Sequence, residues 1–402
     1  MSFSKNSIIN GTECYTLTSE PSNKNAGTCQ WATCTASKTK GQFFIKKYLS
    51  PKGPSELCDD KENQRRLSLC DSFTKQKLYI FNILRESKHN NILAPHDFFQ
   101  DGHSFYVVYP LLTETDIVQK LQHLENKVKI KMLKSIMSGV VFLHKNKLVH
   151  SDIKLTNLIL TEKDEIFLID YDSAYSEKKP NSNLEGDFVY LSPEMLHYSH
   201  SVEENRNPDS LTCKSDIFSL GILFYRFFEL NTPNIQIDGK LSYLANQLII
   251  KPDYTLQFTT KTPDNIQSLI QQMVHIDYNK RPTAEDILVV LTDIIEDKRK
   301  ITIEDFDKIK NKISQGDIQL GRLMEQLFTL DQENKYYILQ NNHVSGTILG
   351  QILSHLDTSE QKMMPFDGLT IKTTPSIKKS ESLNSDPKTS KLKMGLQKNH
   401  KW

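Results

Sequence analysis

Two short segments decide how this chain folds: HSDIKLTN at residues 150–157 and, after a short insertion, DYD at residues 170–172. Together they supply carboxylates, an amide and a lysine. Divalent cations such as Mg²⁺ prefer oxygen donors from carboxylates and side-chain amides, which makes Asn157 and Asp170 candidate metal ligands. A carboxylate can also orient a hydroxyl group for attack on phosphorus, a task that suits Asp152. The pattern therefore predicts a site for phosphoryl transfer.

The composition is typical of a globular protein with at least one large core. The chain has 402 residues, of which 38% are hydrophobic and 25% are charged. A net charge of +1 provides no global field to attract nucleic acid or an anionic membrane, so we expect no nucleic-acid partner. No signal-peptide pattern opens the chain, and no apolar run reaches the roughly 18 residues of a membrane span. Six cysteines without a CxxC pair predict reduced thiols and a cytoplasmic protein.

The first part of the chain, residues 15–110, predicts short strands interrupted by one long helix. Residues 30–34 and 43–46 read as two strands joined by the turn Lys38-Thr39-Lys40-Gly41. Spaced apolar residues then predict a helix that ends near Ser87. Residues 105–109 return to a strand.

Helices dominate the next part, residues 113–297. Leu133, Ile136, Val140 and Leu143 recur at helical spacing on the way into the Asp152 segment. Residues 157–160 and 166–169 predict a hairpin between Asp152 and Asp170. Three later apolar segments predict packed helices, at residues 217–230, 266–274 and 284–295.

The character of the chain changes past residue 300. Apolar residues at helical spacing predict a helical extension at residues 300–355, which could dock on the main body or on a partner. Residues 358–402 are rich in Lys, Ser and Thr and poor in apolar residues. Because such a segment buries too little apolar surface to offset its ordering entropy, we expect a disordered, locally basic tail.

Several motifs in order give the chain its resemblance to eukaryotic-like Ser/Thr protein kinases. HSDIKLTN resembles the catalytic loop of that family, and DYD stands where the metal-binding DFG motif is expected. Ser192-Pro193-Glu194 resembles the APE element. Asp216 resembles the acid that braces the catalytic loop, and Arg281 resembles the arginine that pairs with Glu194. The Phe-rich lysine strand and Gly186-Asp187 resemble a divergent bacterial branch of the family.

The resemblance implies an α+β, two-lobed fold with a small β-rich N-lobe and a larger helical C-lobe. Residues 1–14 would form an N-terminal segment and residues 15–297 the kinase-like domain, with the N-lobe at about 15–110 and the C-lobe at about 113–297. The helical extension at 300–355 and the tail at 358–402 would follow. ATP, Mg²⁺ and protein substrates are the implied ligands and partners.

The same resemblance assigns roles to individual residues. Asp152 would act as the catalytic base, and Lys154 would neutralise the transferring phosphoryl group. Asn157 and Asp170 would hold the metal. Lys46 would contact the nucleotide phosphates, and Lys47 is the adjacent alternative, which strand alternation sends to the opposite face. Gly27 is the single glycine of the expected phosphate-covering loop, where the family pattern has three.

One family residue has no counterpart in the sequence. A glutamate normally orients the strand lysine, and counting back from His89-Asn90-Asn91-Ile92 places that position at Ile80. Glu62 and Glu86 lie too far along the helix to replace it. Either the alignment is shifted, or Lys46 is held by Asp170 and the nucleotide alone.

Three further departures concern activation and substrate choice. Ser151 replaces the arginine that binds a phosphorylated activation loop in many relatives, so we expect activity that does not depend on loop phosphorylation. Asp172 replaces a glycine and reduces backbone freedom, so an Asp-out state should be rarer. Asp187 stands where Ser/Thr kinases usually have a threonine, while Lys154 favours Ser/Thr substrates by resemblance.

Three functions fit these observations to different degrees. An active Ser/Thr kinase uses every candidate residue, whereas the glycine-poor loop, Ile80 and the bulky Phe44 two residues before Lys46 favour a pseudokinase scaffold. A small-molecule phosphotransferase would share the Asp152 motif. Ser192-Pro193-Glu194, Asp216 and Arg281 weigh against the last function, because they belong to the substrate-platform lobe of protein kinases.

Overall fold

The chain divides into two units, at residues 1–300 and 301–402. A computed structural model describes residues 3–23, 28–180 and 186–295, together with residues 311–312, 316 and 321–322. Apart from those few positions, the predicted helical extension and the predicted disordered tail lie outside the described residues. Within the described part of the chain, no helix is both long enough and apolar enough to cross a membrane.

An antiparallel sheet of six strands forms the N-terminal lobe, in the order β1-β2-β3-β4-β6-β5. The strands are β1 Ile8–Asn10, β2 Cys14–Leu17, β3 Cys29–Ala36, β4 Gln42–Tyr48, β5 Asp97–Asp101 and β6 Ser104–Pro110. The predicted hairpin is confirmed as β3 and β4, with Trp31 opposite Lys46. The sheet begins at Ile8, upstream of residue 15, where the sequence places the start of the domain.

Helix α1 (Asp60–Ser87) is the long helix predicted between the strands. It begins where the side chain of Asp59 accepts a hydrogen bond from the Glu62 amide, and it ends at Lys88 in the left-handed conformation. The turn after the helix is tied to the opposite lobe, since the Leu168 amide donates to the Asn91 carbonyl at 2.9 Å. The position of α1 is therefore fixed at its C-terminal end.

Helices and short hairpins form the C-terminal lobe. The helices are α2 Ile117–His123, α3 Asn126–Lys145, α4 Pro193–His200, α5 Cys213–Glu229, α6 Leu244–Ile250, α7 Asp264–Met273 and α8 Ala284–Ile295. The strands are β7 Glu114–Thr115, β8 Leu148–Val149, β9 Leu158–Thr161, β10 Ile166–Leu168, β11 Tyr175–Ser176, β12 Ile235–Ile237 and β13 Lys240–Ser242. The hairpin between Asp152 and Asp170 is confirmed as β9 and β10, and the three predicted late helices are confirmed as α5, α7 and α8.

The core of this lobe lies around α3 and α5. Leu133, Ile136, Val140 and Leu143 of α3 are buried, as their helical spacing predicts. Helix α5 approaches α7 closely at Gly221, where an added Cβ would lie 2.6 Å from Cγ1 of Val274. Only glycine allows this contact without displacement of α7. The predicted α+β fold, with a β-rich first lobe and a helical second lobe, is confirmed.

A buried ion pair holds the middle of the C-terminal lobe to its end. The guanidinium of Arg281 donates to both carboxylate oxygens of Glu194, at 2.7 and 2.8 Å. It also donates to the carbonyls of Lys214 and His275. Because these contacts satisfy a charge that is excluded from water, Arg281 has the architectural role that its position in the sequence predicts.

We expect Arg281→Met to reduce the free energy of unfolding by about 3–5 kcal/mol, because Glu194 would remain buried without a cation. Urea unfolding followed by circular dichroism would measure the change. Arg65→Met is the matched control, since Arg65 pairs with Glu62 at an exposed site and its loss should leave stability close to wild type. Equal effects from the two substitutions would contradict the assignment.

Candidate active site

A buried carboxylate fixes the backbone of the loop at residues 150–157. Asp216, at the start of α5, accepts hydrogen bonds from the amides of His150 and Ser151 at 2.8 and 2.9 Å. His144 contacts the same carboxylate through Nε2 at 3.0 Å. Charge-assisted hydrogen bonds of this kind are stronger than neutral ones. The brace predicted for Asp216 is therefore present, and it sets the loop conformation just before Asp152.

Three of the predicted site residues meet within this loop. Nδ2 of Asn157 donates to the backbone carbonyl of Asp152 and to its Oδ2, both at 2.8 Å. Nζ of Lys154 lies 2.9 Å from the same Oδ2. The carboxylate of Asp152 is thus oriented by two side chains from its own loop while it remains partly open to solvent.

The loop is joined directly to the DYD segment. The Ile169 amide donates to the Asn157 carbonyl at 3.0 Å. Nε2 of His150 lies 3.1 Å from the Ile169 carbonyl, and its Nδ1 faces the Asp152 amide. Since a carbonyl can only accept, the proton of this imidazole lies on Nε2. These bonds place Asp170 beside the loop that carries Asp152 and Asn157.

Two oxygen atoms in this region remain available for a cation. Asn157 uses its Nδ2 for Asp152, and Asp170 uses Oδ1 for Lys46. Among the described residues, no hydrogen bond reaches Oδ1 of Asn157 or Oδ2 of Asp170. Amide and carboxylate oxygens are the donors that Mg²⁺ prefers, so the two residues fit the metal predicted from the sequence.

Lys46 is the lysine of β4 that faces this region. Its Nζ lies 3.1 Å from Oδ1 of Asp170 and 2.5 Å from Oδ2 of Asp172. Lys47 points to the other face, where its ammonium lies over the ring of Phe3. Burial alone would lower the pKa of Lys46, but the carboxylates of Asp172 and then Asp170 raise it above its ordinary range. Lys46 therefore remains an ammonium at any physiological pH.

Asp172 is the most connected residue of the DYD segment. Its Oδ1 accepts a 2.5 Å hydrogen bond from the Tyr48 hydroxyl and lies 3.4 Å from Nζ of Lys77. Nζ of Lys77 also donates to the backbone carbonyl of Asp172 at 2.8 Å. Burial alone would raise the pKa of Asp172, but the charges of Lys77 and then Lys46 hold that pKa well below its usual range.

Neither Asp172 nor Lys77 was predicted to belong to the site. A signal for Lys77 exists, because it falls in the same helical register as the buried residues Cys70, Ile80, Phe81 and Leu84. A lysine in an apolar stripe requires a buried anion. Nothing in the sequence identifies that anion, since Asp172 is distant from α1 along the chain.

The two alternatives for the missing glutamate are now decided in part. Glu62 pairs with Arg65 and Arg66, Glu86 is exposed, and Ile80 is buried. No glutamate of α1 holds Lys46. The alternative in which Asp170 and the nucleotide alone hold Lys46 does not describe the structure, because Asp172 is a nearer partner of this lysine than Asp170.

Three further positions singled out in the sequence are Gly27, Ser151 and Asp187. Gly27 lies outside the described residues. Ser151 has a positive φ of 69°, and its buried hydroxyl has no hydrogen-bond partner in the described part of the chain. The carboxylate of Asp187 accepts a hydrogen bond from the Val189 amide at 3.0 Å, within its own turn.

Comparison with known families matches residues 63–290 to the protein kinase domain. The chain belongs to the protein kinase family. The match begins inside α1, so strand β4, which carries Lys46, lies upstream of it together with β1, β2 and β3. The match contains residues 152, 154, 157, 170 and 172, so the motifs used to identify the resemblance lie in the matched segment.

Several curated proteins are similar to this chain over about half its length. Serine/threonine-protein kinase PSK1 of Saccharomyces cerevisiae is 28% identical over 58% of this chain and 16% of its own length. Probable serine/threonine-protein kinase CCRP1 of Zea mays is 27% identical over 56% of this chain and 35% of its own length. Human death-associated protein kinase 2 is 24% identical over 52% of this chain and 55% of its own length. The similarity therefore spans only part of each relative, and the predicted resemblance to Ser/Thr kinases is confirmed.

We expect Lys46→Met to weaken the binding of Mg-ATP, whereas Lys47→Met should not, because only Lys46 faces Asp170. The readout is the ligand-induced stabilisation of the fold, which is about 2.7 kcal/mol for wild type at a ligand concentration of 100 Kd. Thermal unfolding with and without Mg-ATP would measure it. A loss of the shift in the Lys47 variant would contradict the assignment of faces.

Proposed function

We propose that this protein transfers the γ-phosphate of ATP to serine or threonine hydroxyls of protein substrates. The observation that carries the proposal is the Asp152 carboxylate, which is held by Asn157 and Lys154 and joined through the loop backbone to Asp170. A scaffold has no chemical need for this complete set. Membership of the protein kinase family and the names of two relatives support the substrate class.

In the proposed reaction, Asp152 orients the substrate hydroxyl and accepts its proton. The hydroxyl oxygen forms a bond to the γ-phosphorus as the bond to the ADP oxygen breaks. Lys154 stabilises the negative charge of the group in transfer, and Lys46 binds the other phosphates. Mg²⁺ held by Asn157 and Asp170 would neutralise charge on the phosphate oxygens.

The environment proposed for this activity is the cytoplasm. All six cysteines are free thiols, including the buried Cys29, Cys34 and Cys70. Burial raises the pKa of the Cys34 thiol to about 12, so this group is protonated and unreactive. Free thiols fit a reducing compartment. Docking of a partner on residues 300–355 stays a prediction.

We expect Asp152→Asn to reduce kcat by at least about 100-fold, because the amide cannot accept the hydroxyl proton in the transition state. Radiolabelled ATP and a mixture of Ser- and Thr-containing peptides would measure the transfer. Binding of Mg-ATP should persist in the variant, since Asp152 makes no contact with Lys46.

The matched control is Asp164→Asn in the exposed turn between β9 and β10, where Lys120 is the one cation that the carboxylate pairs with among the described residues. This variant should keep wild-type activity. If Asp152→Asn transfers phosphate as fast as wild type, the assignment of the base is wrong. If wild type binds Mg-ATP but transfers nothing, the protein is a regulatory nucleotide-binding module.

We also propose that activity does not require a phosphorylated activation loop. Ser151 stands directly before Asp152 and carries no charge that could bind a phosphate. The DYD segment is already fixed by the contacts of Asp172 with β4 and α1. The segment therefore has little need of a second ordering signal.

Treatment of the purified protein with a broad-specificity phosphatase should leave the initial rate of phosphate transfer unchanged within about twofold, because no loop phosphate is needed to order the site. Intact-mass measurement would establish that the protein is free of phosphate. A large loss of rate that returns after incubation with ATP would contradict this proposal.

A further inference from the structure

We propose that Asp172 positions Lys46 for nucleotide binding and that Lys77 of α1 holds Asp172 in place. In this arrangement a carboxylate of the DYD segment orients the strand lysine, and the helix contributes a cation in place of an acid. The inference rests on the proposed function, since it concerns the lysine assigned to the nucleotide.

The contacts of Asp172 all run toward the N-terminal lobe. Oδ2 contacts Lys46 at 2.5 Å, and Oδ1 accepts the Tyr48 hydroxyl at 2.5 Å. Lys46 and Tyr48 lie on the same face of β4, because side chains alternate along a strand. One carboxylate therefore fixes two neighbouring positions of that face and leaves Lys46 little rotational freedom.

Lys77 holds the carboxylate of Asp172 in place through a buried ionic contact. Its side chain is only 4% exposed, and its ammonium lies within 6 Å of the ring centroids of Tyr48, Phe73 and Phe81. The faces of these rings attract an ammonium weakly, but a charge removed from water still requires an anion close to it. The only carboxylate that it contacts among the described residues is Asp172, and it also binds the backbone carbonyl of that residue. Lys77 thus holds both the side chain and the backbone.

The charges of this cluster balance. Lys46 and Lys77 contribute two positive charges, and Asp170 and Asp172 contribute two negative ones. Lys46 is paired with both carboxylates, so Asp170 is not its only anionic partner. Oδ2 of Asp170 accepts no hydrogen bond from the described residues and can face a cation. The arrangement separates the task of aiming the lysine from the task of binding the metal.

A purely structural role makes a different prediction from a positioning role. If Asp172 served only to neutralise Lys77, removal of both charges would restore the protein. If Asp172 aims Lys46, removal of both charges would restore stability but not activity. The variants Asp172→Asn, Lys77→Met and the double variant therefore distinguish the two roles. Lys75→Met, at an exposed position of the same helix, is the matched control.

For each variant, thermal unfolding, kcat and KM for ATP, and the Kd of Mg-ADP by calorimetry should be measured. We expect Asp172→Asn to lower the melting temperature and to reduce kcat/KM for ATP about 100-fold, the size of effect that a misplaced group produces. The double variant should recover the melting temperature and remain about 100-fold less active. Lys75→Met should match wild type.

A second arm tests whether Asp172 acts through Lys46. In a Lys46→Met background, Asp172→Asn should cause no further loss of kcat/KM, because there is no longer a lysine to position. Independent roles would instead make the two losses multiply. Multiplied losses, or a double Lys77/Asp172 variant within threefold of wild-type activity, would overturn the proposal.

The calorimetric arm separates this proposal from the proposed function. If the wild-type protein transfers no phosphate, the proposed kinase function is wrong. The positioning role is then supported if Asp172→Asn and the double variant both weaken Mg-ADP binding by at least tenfold, and it is overturned if the double variant binds Mg-ADP as wild type does.

Discussion

The carboxylate of Asp172 is the constraint on which the candidate active site depends. It lies between an ammonium of the sheet and an ammonium of the long helix, and it belongs to the segment that carries Asp170. Three parts of the chain that are distant in sequence are thereby held at one point. Ionic contacts inside a protein gain little net stability after desolvation, but they strongly disfavour arrangements in which any member loses its partners. The cluster therefore specifies geometry more than it adds stability.

The C-terminal lobe uses the same principle with different residues. Asp216 satisfies the amides of His150 and Ser151, and Arg281 satisfies Glu194. In both cases a buried charge is paired with groups that come from far along the chain. The first pairing sets the conformation of the loop that carries Asp152, and the second holds α4 to the segment before α8. The resulting frame is rigid where the proposed chemistry requires fixed positions.

The two lobes differ in how closely they follow the family. The match to the protein kinase domain covers residues 63–290 and leaves out the first four strands. Three departures favour a pseudokinase, namely Ile80, Phe44 and the glycine-poor loop, and all of them concern the N-terminal lobe or its helix. The contacts of Lys46 and Lys77 with Asp172 offer a physical account of the first departure. Under the proposal that Asp172 positions Lys46, activity does not require an acid at residue 80.

The sequence by itself determined the hairpins β3–β4 and β9–β10, the helices α1, α3, α5, α7 and α8, and the candidate residues of the C-terminal lobe. These features depend on local periodicity, on turn residues and on motifs whose members are close together, so a single chain segment contains the information. The pairing of Lys46 with Asp172, and the contact of Lys77 with the same carboxylate, were decided only by the tertiary structure. The reason is that apolar neighbours in the sequence indicate that a charged side chain is buried and therefore needs a partner of opposite charge. The identity of that partner depends on which distant segment of the chain packs against it.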